Sequence, residues 1–314
     1  MNAAGDFLSL VLSSLAPVLI TAVGGMFAER ARAANIALDG CMLLASLAAL
    51  AVGATSGNPW VALLAAIFAG AMFAGVLAFA AFVLNCDIII AGIAANILAT
   101  GLALLVLQHG LHATGTYAPS GVRLIPRVSL GPLQEFPVLG RAFSNQSALL
   151  YVVLAATVAA FAVMNATRFG AHIKAVGESE DAALAVGIKP VLIRTIAVVL
   201  SGAFAGVGGA YLSMSSVATF NSQLTGGLGF IAFAAVIFGR ATPVGTALAS
   251  LLFAVATSVS IYLQGSGLEI QQLVHALPYL VAVIALAIQA MGRVRRRRFD
   301  VSETNYVPAI IPRG

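Results

Sequence analysis

The sequence predicts an all-α polytopic membrane protein with about nine transmembrane helices, within a range of about eight to ten. Hydrophobic residues make up 61% of its 314 positions, charged residues make up 9%, and the mean hydropathy is +1.02. A soluble domain carries roughly 25% charged residues, so this chain has too little polarity to face water on all sides. Lipid offers the backbone no hydrogen-bond partners, and continuous apolar runs of about 20 residues favour helices over a closed barrel.

The predicted spans are largely apolar runs bounded by proline, glycine or charged residues. They are 7–27, 33–56, 60–83, 88–108, 147–166, 191–214, 227–239, 243–263 and 272–291. The N-terminal MNAAGD lacks the basic residues of a signal peptide, so the first run is expected to remain as a span. The 227–239 run is short for a hydrocarbon core about 30 Å thick and begins with glycines, which predicts a broken or re-entrant helix. The same expectation applies to 33–56.

A weak internal echo suggests an inverted repeat. GNPWVALLAAIFAGA follows the second span and ATPVGTALASLLFAVA follows the seventh, each with a proline turn before an Ala/Leu helix. With alternating spans these two helices run in opposite directions, as in an inverted repeat around a midplane site. Matches between Ala/Leu helices also arise by chance.

Lysine and arginine predict the orientation, because cytoplasmic segments carry more of them. A cytoplasmic C-terminus, beginning with RVRRRRF, places most basic residues inside and leaves Arg123, Arg127 and Arg141 outside. Residues 1–300 are then one membrane domain with an outer loop at 109–146 and a cytosolic loop at 167–190. The tail at 301–314 is cytosolic and is expected to have little structure.

The cytosolic loop contains an unusually polar stretch, FGAHIKAVGESEDAALAVGIKP, from Phe169 to Pro190. Gly170 and Gly177 are expected to break the chain, and ESEDAALAVG predicts a short helix with acids in its first turn and Gly187 near its end. Ala182, Ala183 and Val186 then form one small apolar face. This face suits docking into a partner's groove, although a solvated connector is the simpler alternative.

The same stretch carries a family resemblance. Its pattern G-E-x3-A-A-x3-G-I resembles the coupling loop of ABC-importer permeases, and its residues are Gly177, Glu178, Ala182, Ala183, Gly187 and Ile188. The segments GGMFAERARAANIALDGCMLL, GIAANILATGL and GFIAFAAVIFGRATPVGTALASLLF are also similar to that family, and IP…FPVLG…NQSALLY is similar to its nucleoside branch. Ala37 and Asp39 depart from the usual Gly and Glu, which puts inherited substrate specificity in doubt.

The resemblance implies a transport subunit without covalent chemistry of its own. A cytosolic ABC ATPase would dock on the helix near Glu178 to Gly187 and would supply ATP and Mg²⁺, so no cofactor is expected in this chain. An extracytoplasmic binding protein would deliver a nucleoside or a simple sugar, and a second permease subunit, identical or paralogous, would complete the pore. The expected location is a bacterial inner membrane.

Few polar side chains fall within predicted spans, and each has two interpretations. Asp39 is a carboxylate at membrane depth, so it either contacts substrate or caps a broken helix with help from Asn35. Asn96 either contacts substrate or ties two helices together. Aromatic and amide side chains near the short segment have two interpretations as well. The rings could stack on a base while the amides bond to it, or the rings could pack against core and lipid. These residues are Phe220, Asn221, Gln223, Phe230 and Phe233. The small residues of SGAFAGVGGAYLS (201–213) predict close helix packing.

Other functional classes have less support. No G-x4-G-K-[ST] pattern occurs, so the chain has no P-loop and an ATP-driven transporter must take its ATPase from a partner. A stand-alone secondary carrier or channel is the alternative, but one intramembrane carboxylate argues against proton coupling. No HExxH or His/Asp cluster suggests a membrane enzyme. Cys41 and Cys86 suggest neither a disulfide framework nor a metal site, and no basic, aromatic-rich surface suggests nucleic acid.

Overall fold

The computed structural model describes residues 3–128, 142–215, 218–264 and 280. These residues form a helical bundle with four two-residue strands. The helices are α1 (Ala3–Arg30), α2 (Leu38–Ser56), α3 (Pro59–Phe82), α4 (Ile88–Leu105, continued by a π-helical turn at Val106–Gly110), α5 (Ala148–Ala166), α6 (Arg168–Glu178), α7 (Glu180–Ala185), α8 (Pro190–Met214), α9 (Leu228–Phe238) and α10 (Pro243–Gln264). The strands are β1 (Thr116–Tyr117), β2 (Arg127–Val128), β3 (Gln146–Ser147) and β4 (Phe220–Asn221).

The helix pattern confirms the predicted fold class. Among the described residues, seven helices are long and apolar enough to cross a membrane: α1 to α5, α8 and α10. The predicted short segment is α9, with 11 residues. Residues 31–37, called the break below, are not helical, and α2 begins at Leu38, five residues after the predicted start. Helix α2 is then continuous to Ser56, so a broken or re-entrant second span stays a prediction. The predicted span at 272–291 and the tail at 301–314 lie outside the described residues, apart from residue 280.

Local chemistry sets several helix starts. Pro59, Pro190 and Pro243 open α3, α8 and α10, where the absent proline N–H costs no helical hydrogen bond. The Asp87 carboxylate accepts the N–H groups of Ile89 and Ile90, at 2.9 and 3.1 Å, and so caps α4. Pro59 and Pro243 belong to the two echoing sequences, and the inverted repeat built on that echo stays a prediction.

Helix α8 lies at the centre of the bundle, packed against α1, α2 and α3. Its glycines allow that approach: a Cβ on Gly202 would overlap the Gly70 carbonyl of α3, and one on Gly209 would overlap the Met42 carbonyl of α2. Gly206 packs in the same way against Ala66. The small residues at 201–213 therefore form a close-packed seam, as their spacing predicts.

Several helices keep large apolar side chains uncovered within the described part of the chain, α3 and α4 among them. Phe68 and Met72 of α3 are 70% and 60% exposed, and Ile90 and Ile97 of α4 are 70% and 71% exposed. Such faces are unsuited to water, so they are available to lipid tails or to a second permease subunit.

The polar stretch folds differently from its prediction at two glycines. Gly170 and Gly177 lie inside α6 and do not break the chain. Each lies where backbone approaches closely, because a Cβ on Gly170 would overlap the Val163 and Met164 backbone and one on Gly177 would overlap the Arg30 carbonyl. The break instead falls at Ser179, whose backbone is extended with φ −151°. Its hydroxyl accepts the Ala182 N–H at 3.3 Å and caps α7.

Short strands tie the predicted outer loop to the bundle. Within its described part, β1 pairs antiparallel with β4, and β2 pairs antiparallel with β3. The Ile125 N–H also donates to the Met214 carbonyl at 3.1 Å, at the end of α8. Residues 129–141 of the loop lie outside the described ranges. The described part is therefore anchored to the segments that precede α5 and α9.

Candidate functional site

The break between α1 and α2 is held by Asn35. Its Oδ1 accepts the Ala37 N–H at 3.0 Å, and its Nδ2 donates to Ser201 Oγ of α8 at 2.7 Å. The side chain is almost completely buried, so both hydrogen bonds lie away from water, where an unmade bond is costly. Asn35 thus fixes the shape of the break and its position on the central helix.

Asn96 holds the same break from α4. Its Nδ2 donates to the Ile36 carbonyl at 2.9 Å, and its Oδ1 accepts the Gly40 N–H at 2.8 Å. One side chain therefore satisfies a carbonyl within the break and an N–H in the first turn of α2. This geometry supports the second of the two predicted roles, a tie between helices.

We expect Asn96→Ala to lower the free energy of unfolding by about 1–3 kcal/mol, because it leaves the Ile36 carbonyl and the Gly40 N–H without their partner. Thermal unfolding of the purified chain in detergent measures this. Thr100→Val is the matched control, since that exposed hydroxyl bonds only the Asn96 carbonyl of its own helix. Equal unfolding free energies for the two variants would show that Asn96 does not stabilise the break.

Asp39 joins the starts of two helices. The residue lies in the first turn of α2, and its Oδ1 accepts the Gly229 N–H of α9 at 2.9 Å. Oδ2 accepts the Thr225 hydroxyl at 3.1 Å. A carboxylate is favourable at helix N-termini because the unpaired N–H groups there carry partial positive charge. Asp39 thus caps a helix, as one of the two interpretations predicted, and the capped helix is α9. Asn35 does not help in this capping, because its side chain bonds Ala37 and Ser201.

The two helix starts are in backbone contact at this point. A Cβ on Gly229 would overlap the backbone of Asp39, so only glycine lets α9 begin against α2. Gly227 precedes it as the N-cap residue, in the left-handed region at φ +80°. The GGLG sequence therefore serves both a turn and a close crossing. The Asp39 junction, meaning Asp39, Thr225 and Gly229, is a polar contact between the start of the short helix α9 and the start of α2.

The aromatic candidates separate into two environments. Phe220 lies in β4 and is fully buried, so its ring packs in the core and no face is open to a solute in this conformation. Asn221 accepts the Gln223 N–H at 2.9 Å in the turn after β4. Phe230, in the first turn of α9, is 46% exposed. Of the predicted aromatics, Phe230 is therefore the more accessible one beside the Asp39 junction.

The second candidate region is the polar segment formed by α6 and α7, which the sequence predicts to be cytosolic. Ala183 is only 2% exposed, whereas Ala182 is exposed and Leu184 and Val186 are 54% and 74% exposed. The predicted apolar face is thus split, because Ala183 turns into the chain, where its carbonyl accepts the Ile188 N–H at 3.0 Å. Glycine is needed at Gly187, which has φ +81°. We define the outward surface by Ala182, Leu184 and Val186, three of the exposed apolar residues of this segment.

Arg194 connects this segment to the break, a role that the sequence analysis missed. Its guanidinium pairs with Glu180 of α7 at 2.9 Å, and its Nε donates to the Ala31 carbonyl at 3.2 Å. Ala31 lies at the start of the break after α1, so one side chain bridges α7 and the region leading to Asp39. The one feature of the sequence that could have indicated this role is the position of Arg194, a basic residue near the start of the predicted span 191–214.

Metal binding has no support among the residues described. No group of three or more His, Cys, Asp or Glu side chains in those ranges is placed to hold an ion. The chemistry available at both candidate regions is hydrogen bonding and ion pairing, which suits binding and conformational change.

Comparison with known proteins agrees with this architecture. A family model described as branched-chain amino acid transport system / permease component matches residues 7–286. The chain is 34% identical to the guanosine ABC transporter permease protein NupQ of Bacillus subtilis, over 94% of this chain and 93% of that protein. It is 30% identical to the nucleoside ABC transporter permease protein NupC of Lactococcus lactis, over 87% and 88% of the two chains.

Two further similarities are more distant. The glucose ABC transporter permease protein TsgB13 of Haloferax volcanii is 29% identical, over 92% of this chain and 78% of that protein. Among solved structures, an inward-facing conformation of a metal-chelate type ABC transporter superposes with a TM-score of 0.54 at 14% identity, covering 89% of this chain and 85% of the other. At that identity the likeness concerns the fold alone.

Proposed function

The chain belongs to the branched-chain amino acid transport system / permease component family and is a permease subunit of an ABC importer, and from this premise we propose that it imports a nucleoside. The observation that carries the proposal is the match to two relatives named for guanosine and nucleoside transport, each at 30% identity or more over most of the chain. Permeases of this kind are transport components, and ATPase and substrate-binding proteins act with them.

The proposed solute path runs beside the Asp39 junction. Two helices, α2 and α9, begin there: the Asp39 carboxylate accepts the Gly229 N–H of α9, and the Asn96 amide oxygen accepts the Gly40 N–H of α2. Interrupted helices with N-termini near the middle of a membrane are how many transporters form a polar site without exposing backbone to lipid. Asp39 and Phe230 are the proposed contacts with solute. Asn35 and Asn96 act as positioning residues because their amides bond the scaffold.

On the cytosolic side, the surface of Ala182, Leu184 and Val186 docks into the partner ATPase. Movement of that subunit would reach the break through Arg194, which pairs with Glu180 and bonds the Ala31 carbonyl. The nucleotide and Mg²⁺ belong to the partner. The chain contributes helix α7, which Arg194 connects to the residues that precede Asp39.

On the opposite side, the loop at 109–146 receives the substrate-binding protein. The β1–β4 pairing places Thr116 opposite Asn221, a few residues before Thr225 of the Asp39 junction. Docking on the loop therefore has a short route to the start of α9, through the β1–β4 hydrogen bonds and then along the chain from Asn221 to Thr225. The distribution of Lys and Arg favours a cytoplasmic C-terminus, and with nine spans this places the N-terminus outside. A second permease subunit, identical or paralogous, completes the pore.

Uptake of labelled guanosine tests the substrate proposal. We expect vesicles holding this chain, its ATPase and its second permease subunit to accumulate guanosine only with ATP inside and the cognate binding protein outside. Excess unlabelled nucleoside should compete and excess glucose should not. A catalytically inactive ATPase is the control for leakage.

Two outcomes would contradict parts of the proposal. Competition by glucose alone would favour the simple-sugar alternative, which the glucose permease relative supports. Uptake by the chain alone without ATP would favour a stand-alone carrier and would overturn the importer assignment.

A further inference from the structure

A charged cavity lies where three elements of the chain meet, on the same side as α6 and α7. Its volume is about 430 Å³, and its lining includes the end of α1, the end of α6 and the turn after α9. Six of its residues carry charge: the cations Arg30, Arg32, Lys174 and Arg240, and the acids Glu29 and Glu178. Four positive and two negative side chains leave a formal net charge of +2. Neither the Asp39 junction nor the docking surface of α7 uses these cations.

Among the described residues, none of the cavity's cations forms an ion pair. Across the described part of the chain, the ion pair that forms joins Arg194 to Glu180, and neither residue lines this cavity. Lys174 donates to Asn165 Oδ1 at 3.2 Å, which leaves two of its N–H groups for another acceptor. The acids Glu29 and Glu178 offset only part of this positive charge, and the remaining net charge of the cavity favours an anionic ligand.

Two of the arginines occupy matching turns. Arg32 follows α1 and Arg240 follows α9, each in the left-handed region at φ 54°. In each turn the next residue closes a six-residue hydrogen bond, from Ala33 N–H to the Ala28 carbonyl and from Ala241 N–H to the Val236 carbonyl. This is the Schellman C-terminal motif, which normally has glycine where these arginines stand.

The arginines cost backbone energy at those positions, because a side chain is disfavoured in the left-handed region. Interaction with the helix dipole accounts for a cation at each helix end. It does not account for two such turns lining one cavity together with Arg30 and Lys174. A shared anion would offset the strain and the mutual repulsion of the four cations.

We propose that this cavity binds a phosphate group. Arginine presents N–H groups in a planar fork that fits phosphate oxygens, and lysine adds a point charge. The cavity lies at the end of the α1 span, where lipid headgroups begin, and basic pockets at that depth bind anionic headgroups. The phosphate is thus carried by an anionic lipid or is free in the cytosol. A bound phosphate would connect α1, α6 and α9 beside the segment that docks the ATPase.

Lipid binding by the full-length chain tests the proposal. The purified chain in detergent is titrated with phosphatidylglycerol, with phosphatidylcholine as the neutral-headgroup comparison, and bound lipid is counted by native mass spectrometry. We expect Arg32→Gln with Arg240→Gln to weaken phosphatidylglycerol binding about tenfold or more. Arg168→Gln with Lys189→Gln is the matched control, since both residues are exposed cations of the same segment but do not line the cavity.

Inorganic phosphate forms the second arm. Its binding is read from protection of Lys174 against an amine-modifying reagent, with exposed Lys189 as the internal control. Lys174→Gln, which leaves both strained turns intact, repeats the lipid titration if the double arginine variant does not fold. Selective binding of phosphatidylglycerol that the cavity variants lose identifies a lipid headgroup. Protection of Lys174 by inorganic phosphate without lipid selectivity identifies a free anion.

Two results would overturn the proposal. One is equal binding of both lipids together with no protection by phosphate. The other is a chain that binds neither probe while the arginine variants weaken assembly with the ATPase subunit, because the cavity would then receive an acidic protein side chain. Neither result bears on which solute the wild-type chain imports, so this inference and the proposed substrate fail independently.

Discussion

Val186→Asp is expected to abolish most ATP-driven uptake while leaving the isolated chain as stable as the wild type. Val186 is 74% exposed in the chain on its own, so the new carboxylate stays in water there. On assembly it would be buried in the groove of the ATPase, where an unpaired charge costs at least several kcal/mol. We therefore expect at least about a tenfold loss of ATPase binding and of uptake.

The measurement combines three readouts on one preparation: thermal unfolding of the chain, co-purification with the ATPase, and uptake in vesicles. Ala183→Asp is the informative comparison, because Ala183 is 2% exposed and faces into the chain. We expect that variant to lose about 3 kcal/mol or more of stability before any partner is added. If Val186→Asp assembles and transports normally, the outward surface of α7 is not the docking site.

Asp39→Ala is expected to destabilise the chain and to stop transport. It removes the acceptor of the Gly229 N–H and of the Thr225 hydroxyl, both at the start of α9. Thr225 is 3% exposed, so water replaces these bonds poorly, and we expect a loss of about 2 kcal/mol or more of unfolding free energy. Thermal unfolding and vesicle uptake are measured together.

The Asp39→Asn variant distinguishes the role of Asp39 as a helix cap from the role of its negative charge. The amide oxygen still accepts the Gly229 N–H, so we expect stability closer to the wild type, whereas uptake falls if the solute path needs a negative charge. Asp87→Asn is the matched control, since Asp87 also caps a helix, α4, at an exposed position. Wild-type uptake by Asp39→Asn would leave Asp39 as a helix cap and remove it from the proposed solute contacts.

Much of the fold could be predicted from the sequence because the deciding signals are local. Continuous apolar runs predict spans, prolines predict starts such as Pro59 and Pro190, and the acids before Ala182 predict a short helix. Small residues at 201–213 predict a tight seam for a similar reason, since only small side chains let helices approach closely. Glycine was harder to interpret: Gly177 permits close approach to Arg30 within a helix, although the same residue type commonly breaks one.

The candidate sites could be predicted only in part, because a polar side chain does not reveal its partner. Asp39 was a candidate from the sequence, but its partners Thr225 and Gly229 lie 186 and 190 positions further along. Asn96 likewise bonds Ile36 and Gly40, 60 and 56 positions away. Arg194 gave only a weak sequence signal, and its function follows from bridging Glu180 and Ala31.

Composition and short motifs were enough to predict a helical membrane permease, and they also predict a polar cytosolic segment and a separate ATPase subunit. Hydropathy and short motifs are sufficient for that, because water and lipid act on each segment separately. Tertiary structure alone decided that Ala183 faces inward, that Asp39 caps α9, and that Arg32 and Arg240 share a cavity. Those outcomes depend on how distant helices pack, and packing fixes side-chain directions that no local pattern contains.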